Sequence, residues 1–411
     1  MKIQVPAPLK LLSEQFDKPI YLVGGYVRDY ILHGKISSDV DLCAPILADE
    51  LEKVAKEVGF SVVATYKKTG TVKLKYGEQE FEYTTFRTEE YEKGGFHTPY
   101  SVEFTSDIVL DAKRRDFKIN AIYYDIKNGK IVDVLGGLHD LRHRKISTVI
   151  APEDVFMHDG LRLLRLARFS AKHSLSIDKE MLKVAKKYNN LIVDIAPERI
   201  KDELNKMLCE DERTTARALK VLEKIGVLDF LFKTNDIKCA KIVSSVKKEL
   251  RLLTLCTLYS KSISDAVFNL NFLKISKRDI KDFTLTLRLI GAFFGNTKTI
   301  SQIKRLVIDN FNAFSDFSEI VSAIISNKKN NKRLVQKLSK WENVKNEIIN
   351  SSVPMSVQSL KISAKELIDL GIEANRIKSV LNFLLNKCQK NPKLNAKEKL
   401  KILLKKHDFI S

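Results

Sequence analysis

Apolar side chains alternate with polar ones in short runs up to about residue 150, then recur every third or fourth position to the C-terminus. The alternating runs Ser61–Tyr66, Thr71–Tyr76 and Glu80–Phe86 predict strands, with helices near 28–33 and 47–58 and a short amphipathic helix within 1–20. Tyr21–Val23 reads as a strand that ends at Gly24-Gly25 and runs into a helix, and Asp39-Val40-Asp41 as a further strand. Ile119–Asp125 fits either a helix end or a strand, and Lys127–Lys130 reads as a hairpin turn leading to Ile131–Leu135. Helical spacing then covers 158–171, 180–188, 199–208 and 214–225, and Pro197 marks a helix start. Lys-rich amphipathic helices continue to about 350, broken by the polar stretch 326–333. Past Ser351-Ser352-Val353-Pro354 lie three more helices, near 363–371, 374–389 and 395–407. These patterns give an α+β class: a mixed sheet covered on one side by helices, then an all-α remainder.

Charge divides the chain more sharply than hydrophobicity does. Residues 231–411 hold 34 Lys and Arg against 15 Asp and Glu, a net of +19 out of +20 for all 411 residues. A basic half beside a neutral one favours a polyanionic partner, nucleic acid before membrane. Trp341 is expected in the core, and Lys332, Arg333, Lys393, Lys399 and Lys405 are phosphate-contact candidates within a largely solvated set. Five scattered cysteines without a CxxC pair support neither a disulfide framework nor a zinc site, and suit a reducing, cytoplasmic setting. A secretory pattern and a membrane-length apolar run are both missing from the sequence.

Three clusters carry chemistry. Strand side chains alternate, so Asp39 and Asp41 face one way and can share Mg²⁺, with Glu82 as a possible third ligand. Gly24 and Gly25, at a helix start and followed by Arg28 and Asp29, allow a phosphate to approach backbone N–H groups. Arg115 and Asp116, downstream of Arg87 and a Gly94-Gly95 loop, suit a triphosphate and a ribose hydroxyl. The third cluster is Asp159, Arg162, Arg165 and Arg168, with Asp159 and Arg162 taken as helical neighbours. An Asp–Arg pair beside a base accepts from the exocyclic amine and donates to the ring nitrogen of cytosine or adenine. Uracil and guanine reverse both polarities and leave buried groups unpaired.

Together these residues resemble the class II CCA-adding tRNA nucleotidyltransferases, within the superfamily shared with bacterial poly(A) polymerases. Gly24-Gly25-x-x-Arg28-Asp29 with Asp39-x-Asp41 is similar to the family's metal and phosphate motif. Arg114-Arg115-Asp116-Phe117 running to Asn120-Ala121 resembles its ribose-selecting motif, Leu135–Leu141 its head-to-neck segment, and Asp159-x-x-Arg162-x-x-Arg165-x-x-Arg168-Phe169 its nucleotide-reading helix. Glu198–Leu208 resembles the next neck helix, and 361–371 a tail segment of short bacterial members. The resemblance implies a polymerase-β-like catalytic head (1–150), a base-reading neck (151–230), and a body (231–350) and tail (351–411) that bind tRNA at its 3′ end and elbow. It implies Mg²⁺, with CTP and ATP as substrates, and addition of C, C and A without a template.

The chain departs from the family pattern at His158, where Glu is usual, at Lys118, where Thr is usual, and in a tail without the customary Gly-Pro-rich turn. Alternatives at this level are poly(A) addition, CC-only or A-only addition, and an inactive RNA-binding relative. A phosphohydrolase built on His139-Asp140 or His158-Asp159 is disfavoured by the scarcity of further histidines. Oligomeric state is not legible.

Overall fold

In the computed structural model, which describes residues 3–34, 39–91, 99–233, 238–297 and 299–410, the chain divides into two units, Met1–Ala240 and Lys241–Ser411. The first unit carries a seven-stranded sheet built from β1 (Tyr21–Val23), β2 (Val40–Ala44), β3 (Ser61–Tyr66), β4 (Thr71–Tyr76), β5 (Gln79–Thr85), β8 (Tyr123–Asp125) and β9 (Lys130–Val132). The strand order is β3-β4-β5-β2-β1-β8-β9, and only β2–β5 pair in parallel, so the sheet is mixed as expected. A separate two-stranded hairpin, β6 (Arg87–Glu90) with β7 (Ser101–Phe104), escaped the sequence reading because its side chains are mostly polar. The Gly94-Gly95 loop lies outside the described residues.

Helices α1 (Ala7–Glu14), α2 (Gly25–His33), α3 (Ala48–Glu57), α4 (Ile108–Lys113) and α5 (Gly137–Arg142) accompany the sheet. Ile119–Asp125 resolves into a single tight turn followed by β8. The helical stretch then comprises α6 (Pro152–His158), α7 (Arg162–Lys172), α8 (Lys179–Lys187), α9 (Pro197–Leu208), α10 (Glu212–Ile225) and α11 (Val227–Phe232). The expected continuous helix over 158–171 is therefore two helices. Asp159 adopts an extended conformation, its side chain accepts from the Leu161 amide at 3.0 Å, and Gly160 passes close to Leu191. A Cβ on Gly160 would stand 2.5 Å from the Leu191 carbonyl oxygen, so backbone contact takes priority over helical spacing there.

The segments expected as separate head and neck pack as one unit. Phe117 meets Phe169 edge-on at 6.1 Å, and Arg162 and Arg165 reach from α7 to Arg114 and Asp116. The second unit is all helical among its described residues. Trp341 is buried there, 5.7 Å from Phe293 and 5.3 Å from Phe317, which places it in a core as expected. Leu367, Val380, Leu384, Leu400 and Leu404 form another apolar cluster toward its C-terminal end. Lys332, Arg333, Lys393, Lys399 and Lys405 are exposed.

Gly160→Ala should destabilise the first unit by about 1–3 kcal/mol, the range for overpacking a close contact. Denaturant titration checks this, and an unchanged midpoint would show that the turn yields.

Candidate active site

Strand β1 stops at Gly24 because that residue carries φ +74°, which favours glycine, and because Asp41 lies beside it. Val23 pairs with Asp41 across the β1–β2 ladder, and a Cβ on Gly24 would sit 3.0 Å from Asp41 Oδ2. The glycine thus lets β2, which carries Asp41, and the start of α2 approach each other. Asp39 and Asp41, Gly24 and Gly25 all border one cavity of about 890 Å³.

Burial pushes the Asp41 carboxyl above its ordinary range, opposed by Arg115 and reinforced by Glu82 and Asp39. A carboxylate held uncomfortably in its charged form, with a second one two residues away, fits a hard divalent cation such as Mg²⁺. Glu82, the expected third acid, borders a second cavity together with Asp39 and Asp41. It is the parallel register partner of Asp41, but its half-exposed side chain leans toward Lys73, 4.0 Å away. Among the described residues no three acidic, His or Cys side chains are grouped to hold a metal. Asp39 and Asp41 remain as candidate oxygen donors, a pair that leaves room for phosphates and water around a cation.

The same cavity is bordered by Arg28, Arg115, Asp116, Asp159, Arg162, Arg165 and Arg168, so every expected nucleotide residue converges there. Their partners differ from the expected ones. Arg28 is buried, donating to Asp29 at 2.7 Å and to Asn120 at 2.5 Å, with its guanidinium over the Phe169 ring. Arg115 donates to Asp111 at 3.0 Å and to the Tyr123 hydroxyl at 3.3 Å. Asp116 receives Arg165 Nε and Nη2, both at 2.7 Å, together with Asn120 Nδ2 at 2.9 Å and the Phe117 amide at 2.8 Å. Burial opposes its charge, but Arg165 and Asn120 hold Asp116 down to about 2. Its oxygens serve the protein first, so the expected ribose contact has to compete with Arg165. Arg168 donates to buried Glu203 on α9 at 2.5 Å.

Asp159 and Arg162 are not paired with each other. Asp159 accepts from Arg199 on α9, at 2.8 and 3.4 Å. Arg162 donates to the carbonyls of Arg114 at 2.7 Å and Val155 at 3.3 Å. Arg87, Arg114 and Arg199 also border the cavity, each with a carboxylate partner in Glu89, Asp111 and Asp159. Arg162 is the exception. Among the described residues no carboxylate lies within 4.0 Å of it.

Sequence reasoning missed Asp111, Glu89 and Arg199. Asp111 is fully buried and grips Arg114 at 2.7 Å, Arg115 at 3.0 Å and the Tyr123 hydroxyl at 2.8 Å. Despite burial, Arg115 and Arg114 hold it down to about 2. Its i+3 and i+4 spacing to those arginines was readable. Glu89 and Arg199 carry no comparable local pattern.

Comparison with known proteins agrees with this geometry. A family model described as the poly(A) polymerase head domain matches residues 20–147, and one described as a probable RNA and SrmB-binding site of polymerase A matches 174–237. The CCA-adding enzyme of Staphylococcus aureus (strain MRSA252) is 29% identical over 290 residues, 70% of this chain and 69% of that protein. That of Bacillus pumilus is 37% identical over 203 residues, 49% of this chain and 48% of its own length. The chain is thus similar to poly(A) polymerase heads over its first part and to CCA-adding enzymes over more of its length. Its fold matches the Bacillus stearothermophilus CCA-adding enzyme in complex with CTP at a TM-score of 0.71 and 22% identity, covering 98% of each chain. The Thermotoga maritima CCA-adding enzyme complexed with tRNA matches at 0.69 and 19%, covering 99% of this chain and 98% of the other. At the end of α6, His158 faces the hairpin residue Tyr91, ring to ring at 4.8 Å.

At the rear of the site His173 is buried, and neither ring nitrogen has a hydrogen-bond partner among the described residues. Burial, then the Arg28 charge, push its pKa down to about 3. The unfolded state therefore binds the extra proton between pH 6.5 and about 3, and stability falls as pH falls through that window. Asp111 and Asp116 add losses only below about pH 4. His173→Phe should flatten the stability slope between pH 6.5 and 4.5, as read by urea midpoints; an unaltered slope would place the titration elsewhere.

Proposed function

We propose that this protein adds C, C and A to the 3′ end of tRNA without a template, using CTP and ATP and releasing pyrophosphate. One observation carries the reading. The two aspartates suited to a metal and the carboxylate-free Arg162 border the same cavity, so a nucleotide can place its phosphates at one and its base at the other. The similarity to CCA-adding enzymes in sequence and in fold supports the same choice.

Asp39 and Asp41 would hold Mg²⁺, which when bound favours the ionised form of an attacking hydroxyl and offsets charge on the leaving pyrophosphate. The Gly24-Gly25 turn presents the first amides of α2 toward the triphosphate. Of the ten basic and seven acidic described side chains that border the cavity, Asp39 and Asp41 stand beside that turn, and the arginines surround the remainder. This charge pattern suits a polyphosphate. Arg162 donates to the ring nitrogen of cytosine or adenine, and Asp159, held by Arg199, accepts from the exocyclic amine. Arg199 fixes the carboxylate plane, Oδ1 also accepts from the Leu161 amide, and Oδ2 keeps a lone pair for the base. The basic second unit supplies sequence-independent contact with tRNA phosphates, and the cytoplasm is the setting we infer. Among the described residues no helix is long and apolar enough to cross a membrane.

Purified protein incubated with tRNA lacking its 3′ end, Mg²⁺ and single labelled nucleotides should incorporate CMP, and AMP once CMP is present. Long A tails would point to poly(A) addition, and no incorporation to a binding protein. Asp39→Ala should lower incorporation on the order of 100-fold or more, as removal of a key electrostatic group does, while tRNA binding persists. Arg162→Ala should raise UMP misincorporation relative to CMP by about tenfold or more, the scale of an unpaired buried group. Affinity for tRNA should fall steeply with salt in filter-binding assays; a flat response would contradict a phosphate-tracking surface.

A further inference from the structure

Arg162 is aimed by two backbone carbonyls, one on Arg114 after α4 and one on Val155 within α6. Neither carbonyl belongs to its own helix, so the direction of the guanidinium depends on where those two segments sit. The β6 strand and the residue after it touch both. Glu89, nearly buried, takes the Arg87 guanidinium at 2.5 Å and stands 3.7 Å from Arg114 Nη1. Tyr91 hydrogen-bonds Glu89 through its hydroxyl and lays its ring on His158, the last residue of α6, with planes 15° apart and centroids 4.8 Å apart. Thus Glu89 holds the segment that supplies one carbonyl, and Tyr91 holds the helix that supplies the other.

We propose that Glu89, Tyr91 and His158 form a brace that sets the aim of Arg162, making them positioning residues for nucleotide choice. The idea rests on the base-reading role given to Arg162 above. A carboxylate at position 158, usual in the family pattern, would stand close to Arg162 and neutralise it directly. A ring at 158 leaves Arg162 charged and fastens α6 to the hairpin through Tyr91 instead. Burial and the Arg162 charge lower the His158 pKa, which keeps the ring neutral beside a cation near pH 7. Tyr91 also borders the cavity, so the brace ends at the ligand.

The test compares His158→Ala, His158→Phe, Tyr91→Ala and Tyr91→Phe in the full-length chain. Two readouts are used: CMP against UMP incorporation on trimmed tRNA, and calorimetric binding of CTP against UTP. His158→Ala and Tyr91→Ala should each reduce the preference for CTP by roughly three- to tenfold, the worth of one aromatic pair. The loss should fall on KM for CTP more than on kcat. His158→Phe keeps a flat ring and should restore the preference, and Tyr91→Phe, which keeps the ring but loses the bond to Glu89, should fall between. Unchanged preference in both alanine variants, or equal damage from His158→Phe and His158→Ala, would overturn the brace. Wild-type protein that binds CTP over UTP yet incorporates neither would sink CCA addition while the binding ratios still judge the brace.

Discussion

Crowding of guanidinium groups around one cavity is the constraint that organises the first unit. Like charges brought together away from water repel strongly unless each finds a counter-charge. The chain meets this by drawing acids from many elements: Asp111 beside α4, Asp116 ahead of β8, Glu89 on β6, and Glu203 on α9. Some of these pairs join the sheet-bearing segment to the helices, as Asp116 does with Arg165, and others tie helix to helix, as Glu203 does with Arg168. Electrostatic compensation therefore doubles as the fastening between the sheet-bearing and helical segments. Phe169, with Arg28, Arg165 and Arg168 at 4.8, 5.0 and 4.2 Å from its ring centre, adds a face on which three of these cations gather.

Against that background, the places where compensation is withheld acquire meaning. Arg162 keeps an uncompensated charge beside buried surroundings, and Asp41 keeps a carboxylate that burial disfavours. In the function proposed above, a base would answer the arginine, and a metal with its phosphates the aspartate. Stability given up at such points is a familiar cost of a poised site. Gly24 serves the same end by geometry, since any side chain there would intrude on Asp41.

The legible part of the site lay in short-range spacing. Period two put Asp39 and Asp41 on one side of a strand, and the Gly24-Gly25 turn was visible as a strand end before a helix start. Helical period three misled at 158–162. Asp159 and Arg162 have the spacing of helical neighbours, yet Gly160 presses against Leu191 and turns the chain, sending Asp159 to Arg199. Glu82, the possible third ligand, stands beside Asp41 in the parallel register and borders a cavity with Asp39 and Asp41, while its carboxylate also lies 4.0 Å from Lys73. The hairpin with Glu89 and Tyr91 left no hydrophobic pattern to read, because its work is ionic.

The chain's residue order determined which segments became strands and helices, where the basic excess gathered, and which acids and arginines were available for chemistry. Those properties follow from backbone geometry over a few residues, so a linear reading reaches them. The identity of each polar partner was settled by folding: Arg28 with Asn120 lies 92 positions apart, Arg165 with Asp116 lies 49, and Arg199 with Asp159 lies 40. Such pairs depend on which loops converge in space and which competitors reach a carboxylate first, and no local periodicity encodes that.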